Sequence, residues 1–84
     1  MSQASRFPGN TLWQVCMQTT DGTQRKCHTF TSDEYRQSGQ DPAHLTNRRM
    51  WEASRSVIDG KEQIVVSVTR CDKDKGWVDV FVRQ

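Results

Sequence analysis

The sequence predicts a small α+β domain. The expected form is a two-layer sandwich, with an antiparallel four-stranded sheet of two hairpins carrying one main helix in the order β-β-α-β-β. Three observations lead there. Two stretches rich in Thr, Val and aromatic residues flank Asp21-Gly22, a strong turn signal. Two apolar stretches alternate on either side of the charged link Asp72-Lys73-Asp74-Lys75-Gly76. Between these pairs, Asn47, Met50, Trp51, Ser54, Val57 and Ile58 recur at helical spacing. There is also an echo within the chain. Trp13 and Trp51 each lead to an Asp-Gly pair and then to a Thr, but the identities between the two stretches are too few to establish a duplication.

A chain of 84 residues makes one domain with a small core, because a chain of this size buries only about 60–65% of its unfolded surface. Hydrophobic residues are 33% of the chain. Their concentration in 12–30, 50–58 and 64–82 argues for order in those segments. Twelve basic against ten acidic residues leave a net charge of +2, well short of the bias of a dedicated duplex binder. No apolar run reaches the roughly 18–20 residues of a membrane span. The start Met1-Ser2-Gln3-Ala4-Ser5-Arg6 has no apolar segment after its charge, unlike a secretion signal. Three cysteines without CxxC spacing fit reduced thiols better than a disulfide framework. The expected setting is cytoplasmic, with no membrane partner.

Residues 1–10 read as a flexible leader that ends in the turn Phe7-Pro8-Gly9-Asn10, and residues 11–84 as the single domain. Thr11 to Thr20 and Thr23 to Thr31 are the first two strands. A two-residue turn sets Met17 opposite Lys26, Val15 opposite His28 and Trp13 opposite Phe30. Trp13, Val15, Met17, His28 and Phe30 then share the face expected to pack inward. Thr31 and Glu34 have capping-box spacing, and Asp33 and Glu34 lie in the first turn of a short helix that Ser38-Gly39 ends. Asp41-Pro42 starts the main helix, with Asp as N-cap and Pro at the first helical position; it runs to a stop at Gly60. The competing reading makes 51–58 a strand hairpinned through Asp59-Gly60; the poor alternation there favours the helix. Ile64 to Cys71 and Trp77 to Arg83 close the sheet. Strict alternation puts Ile64, Val66, Val68, Val78, Val80 and Val82 on the core face.

That alternation turns Trp77 and Phe81 to the opposite face, beside Val65 and with Leu12 near by. Exposed aromatics on a small protein mark a contact surface. The expected function is therefore a non-enzymatic protein-binding module of the regulator or inhibitor type. Trp77, Phe81 and Val65 are its anchors, and Arg83 and Arg25 lie at the rim. A homodimer interface, or the leader folding over the face, would also cover these side chains. The alternative is a nucleic-acid-binding module using the same aromatics with Arg25, Lys26, Arg48 and Arg49, by base stacking and phosphate contact. Glu52, Asp72, Asp74 and Asp79 are interleaved and would repel phosphate.

No catalytic residue, cofactor or metal is expected. Cys16, Cys27 and Cys71 fall on one face, but His28, the nearest fourth ligand for zinc, points to the other. For the same reason Cys27 and His28 are not a nucleophile and base. His44 lies near a helix start, away from any cysteine. Neither a Gly-rich phosphate loop nor an HExxH motif occurs. Cys16 and Cys27 oppose one another across the first hairpin. Counting from a two-residue turn makes theirs a hydrogen-bonded pair, which is poorly placed for a disulfide.

Overall fold

The computed structural model describes residues 8–84. The expected leader falls mostly on residues outside that range. Pro8–Asn10 form a turn closed by the Thr11 N–H on the Pro8 carbonyl at 3.0 Å, and the Asp33 N–H holds the Gly9 carbonyl at 2.9 Å.

The architecture is an antiparallel sheet with two short helices. β1 (Leu12–Thr19) and β2 (Arg25–Thr31) form the first hairpin; α1 (Ser32–Gln37), a 3₁₀ helix (Pro42–Thr46) and α2 (Arg48–Ala53) follow; β3 (Arg55–Ile58), β4 (Lys61–Asp72) and β5 (Gly76–Val82) complete the five-stranded sheet. β4 is the central strand. One of its edges pairs with β1 along most of its length, and the other is shared between β3 and β5.

The first hairpin keeps the expected register: Trp13 faces Phe30, Val15 faces His28 and Met17 faces Lys26. The loop differs from the expected two-residue turn. The Thr19 N–H bonds the Gln24 carbonyl at 3.0 Å, and the Gly22 N–H bonds the Thr19 carbonyl at 2.9 Å. The Asp21 carboxylate ties the loop together, accepting from the Thr19 hydroxyl at 2.6 Å and the Thr23 hydroxyl at 2.7 Å.

α1 starts with the capping box read from the sequence. The Thr31 Oγ1 accepts from the Glu34 N–H at 3.1 Å, and the Glu34 carboxylate accepts from the Thr31 N–H at 2.8 Å. The single main helix is not formed, and the order β-β-α-β-β is corrected accordingly. Asp41 does cap a start at Pro42, but this start is a 3₁₀ helix that ends at Asn47. Asn47 adopts φ −93° and ψ 100° and caps a second helix, its side chain accepting from the Arg49 and Met50 N–H groups. The break lets Trp51 fold back so that its indole N–H donates to the Leu45 carbonyl at 2.9 Å. Leu45 and Trp51 then enter the core together, at 1% and 7% exposure.

After Ala53 the chain turns extended, and Asp59-Gly60 forms a two-residue turn between Ile58 and Lys61. Both turn residues have positive φ, 53° and 76°, as a hairpin turn that matches strand twist requires. Of the competing strand reading of 51–58, the part Arg55–Ile58 is a strand, while Trp51–Ala53 belong to α2. The two Asp-Gly pairs both lie in turns, yet Trp13 opens a strand and Trp51 sits in a helix.

The core collects Trp13, Val15, Leu45, Trp51, Val65, Val68 and Phe81, with Met17, Phe30, Tyr35 and Val80 packed against it. The expected face of Ile64, Val66, Val68, Val78, Val80 and Val82 is broken by two β-bulges, although Val68 keeps its place in the core and Val80 packs against it. Cys16 pairs with Ser67 but Met17 with Val65, so Val66 is an extra residue in β4. Val68 pairs with Phe81 but Thr69 with Asp79, so Val80 is an extra residue in β5. One inserted residue reverses the alternation beyond it. Val65 and Val68 thereby point the same way, and Val82 is left 45% exposed.

Candidate functional site

The helices pack on one face of the sheet. Among the described residues no helix covers the other face, where Gln14, Cys16, Cys27, Ser67, Thr69, Cys71, Trp77 and Asp79 lie by register. Trp77, directly opposite Cys71, is 50% exposed. One step beyond the Trp13–Arg70 pair, Leu12 comes up against Cys71 and is itself 40% exposed. Leu12 and Cys71 also line a groove of about 540 Å³ between the Pro8–Thr11 segment and the β4–β5 loop. Arg70, Asp72, Lys73 and Asp74 line it too. The lining combines apolar surface with charges of both signs, an arrangement suited to a peptide or side-chain contact.

Two expected anchors are corrected. Phe81 is 4% exposed and Val65 is 2% exposed, and both are core residues. The bulge at Val80 turns Phe81 inward opposite Val68, and the bulge at Val66 does the same for Val65. Neither side chain is on the face assigned to it from the alternation. Arg83 is held by the protein's own backbone. Its Nε donates to the Val65 carbonyl at 2.7 Å, and its Nη2 donates to the Glu52 carbonyl at 2.8 Å and the Trp51 carbonyl at 3.3 Å. Its guanidinium carbon also lies 5.6 Å from the centre of the Phe81 ring.

Arg25 is exposed but far from Trp77. It pairs with Gln18, whereas Trp77 sits at the Leu12 end; the length of β1 between them is about 20 Å. The basic residues of the nucleic-acid alternative are not brought together either. Arg25 and Lys26 lie on β2 at one margin of the sheet, while α2 with Arg48 and Arg49 packs on β4 and β5. Three strand spacings, about 14 Å, separate β2 from β5. Arg48 and Arg49 do share a concavity of about 250 Å³ with Glu52, Phe81, Val82, Arg83 and Gln84.

Cys16 and Cys27 form a disulfide, with their Cα atoms 3.9 Å apart. This corrects the expectation of three reduced thiols, one of the observations behind the expected cytoplasmic setting. The hairpin is closed by Thr19 and Gln24, not by Thr20 and Thr23. That shift makes Cys16 and Cys27 a non-hydrogen-bonded pair, the type with the closer approach. Cys71 is free and half-buried. Neither disulfide-bonded sulfur is a thiolate, and Cys27 is not available as a nucleophile. Among the described residues no group of three or more His, Cys, Asp or Glu side chains is placed to hold a metal ion. The described residues also hold no helix long and apolar enough to cross a membrane.

Two carboxylates are held below the usual range. The hydroxyls of Thr19 and Thr23 and the Thr23 N–H stabilise the Asp21 carboxylate. The N–H groups of Asp74 and Lys75 do the same for Asp72, helped by Arg70. Both serve loops, and the Asp72 loop is one wall of the groove.

Of this surface, Trp77 was readable from alternation, because the β5 bulge lies after it. The groove was not. Its one sequence signal was Pro8-Gly9-Asn10, a turn whose docking on Asp33 depends on a contact distant along the chain. Comparisons with protein-family models, with curated proteins and with solved structures found no match.

Proposed function

We propose that the chain is a small, non-enzymatic protein-binding module of the regulator or inhibitor type. Its contact surface is the helix-free face at the Trp77 end, together with the groove beside Leu12 and Cys71. The observation that carries this reading is the contrast between the three tryptophans. Trp13 and Trp51 are 0% and 7% exposed, whereas Trp77 is 50% exposed. Large aromatics with one face in water are the residue type that dominates contact energies once a partner desolvates them. Leu12 and the groove supply apolar surface next to it, and the charged lining residues supply specificity.

The test is affinity capture from native lysate by the wild-type protein and by Trp77→Ala, each with and without nuclease. The expected result is a protein partner that survives nuclease and is lost with Trp77→Ala while the variant stays folded. Retention of that partner by the variant would reject the Trp77 surface. Sedimentation of the purified protein separates this from a homodimer formed through the same face, since only the latter depends on the protein's own concentration.

A second reading, nucleic-acid binding, is supported by one observation: Arg48 and Arg49 share a concavity with Arg83 and Phe81. It requires an affinity that falls steeply with salt, through release of counterions from phosphate. Affinity for single-stranded nucleic acid that stays flat from low to physiological salt excludes it.

A further inference from the structure

Among the described residues β2 is bonded along one edge only, to β1. The closing bond from Thr19 to Gln24 fixes which backbone groups face which way. Lys26, His28 and Phe30 form the hydrogen-bonded pairs with Met17, Val15 and Trp13. The N–H and C=O groups of Arg25, Cys27 and Thr29 therefore project from the open edge. Seven consecutive pairs run without a register shift, and the strand contains neither Pro nor Gly. The sheet's other margin is different. It is divided between the four-residue β3 and β5, and β5 is interrupted by the bulge at Val80 and carries Asp79. Short strands, bulges and charges of that kind discourage strand addition; a regular open edge invites it.

Charge selects the guest. β2 carries Arg25, Lys26 and His28, all exposed, and no acidic residue. Lys26 and His28 point to the same face of the strand, about 7 Å apart. Against an added antiparallel strand these two occupy the non-hydrogen-bonded positions, where opposing Cα atoms come within about 4.5 Å. We propose that the open edge of β2 takes up an extended acidic segment of a partner protein as an additional strand. Carboxylates at alternate positions of that segment lie opposite Lys26 and His28. This edge is on the margin away from β5, so it is a second contact that stands or falls independently of Trp77.

The experiment uses the full chain, labelled with ¹⁵N, and two blocked peptides, one alternating Glu with Thr and one alternating Lys with Thr. The readout is hydrogen exchange at the Arg25, Cys27 and Thr29 amides. The acidic peptide is expected to slow exchange at these amides by about tenfold or more, and the basic peptide to leave it unchanged. Lys26→Glu should weaken the protection. Thr29→Pro should abolish it, because the Thr29 N–H points away from β1 and its loss leaves the native ladder intact; retained β1–β2 cross-strand contacts check that the variant is folded. Trp77→Ala should have no effect. Equal protection by both peptides, or none at millimolar acidic peptide, would overturn the proposal. Protection that appears without peptide and grows with protein concentration would assign the edge to a second copy of the chain and overturn it equally.

Discussion

The Arg83 guanidinium donates to the Glu52 carbonyl at 2.8 Å, joining the last residues of the chain to the end of α2. The same side chain reaches the Val65 carbonyl across the bulged part of β4. It gives the Glu52 carbonyl a donor near the helix C-terminus, and its positive charge suits that end of the helix. Arg83→Lys keeps the charge but not the fork that spans these acceptors. We expect it to lower stability by about 1.5–3 kcal/mol in urea unfolding, the range for hydrogen bonds to charged groups.

The inward turn of Phe81 separates two variants that alternation alone makes equivalent. Phe81→Ala removes a core ring and should cost about 3–5 kcal/mol. That loss is comparable with the whole stability of a domain this small. Trp77→Ala should change stability by about 0.5 kcal/mol or less while reducing partner capture. Paired thermal or urea unfolding curves make the comparison; equal losses would contradict the assignment of Phe81 to the core.

The Asp59-Gly60 turn sets the β3–β4 register. Gly60 sits at φ 76°, where a Cβ is unfavourable by about 1–2 kcal/mol. Gly60→Ala should therefore destabilise by about that amount. Asp59→Asn should be tolerated, since Asn adopts positive φ readily. A stability gain in Gly60→Ala would contradict the turn geometry.

Reduction of the Cys16–Cys27 bond, or the Cys16→Ser, Cys27→Ser double variant, frees a loop with a sequence separation of 11. Chain entropy puts the loss near 2–3 kcal/mol. Titration of the native protein with a thiol reagent should find Cys71 alone, with the other two sulfurs reacting only after reduction.

Acid should loosen the two loops that Asp21 and Asp72 organise. Both carboxylates are held below the ordinary value in the folded protein by hydrogen bonds to their charged forms. A depressed folded pKa contributes stability that is present above the unfolded value of about 4 and is lost as the pH falls below it. Stability should thus decline below about pH 4. Replacing Asp21 by Asn should flatten part of that decline, measured by urea unfolding across the acid range.

The sequence by itself determined the local features. The capping box at Thr31 and Glu34, the start at Asp41-Pro42, the register of the first hairpin and the turn positions of both Asp-Gly pairs are set by residues within a few places of one another. Trp77 belongs with them, since the part of β5 before the bulge obeys simple alternation. Tertiary structure decided the rest. Ile64, Val66 and Val68 alternate well enough to suggest a continuous strand. Filling the space around Trp13 and Trp51 instead brings Val65, Val68 and Phe81 to one side, through an extra residue in each of β4 and β5. A bulge leaves little mark on the hydrophobic pattern, because its position answers to packing across strands distant in sequence. The division of residues 42–58 into a 3₁₀ helix, α2 and β3 has the same cause. The helical stripe there was real as a pattern, but β4 had an open edge that Arg55–Ile58 could pair with, and the Leu45–Trp51 bond drew the chain back onto the core.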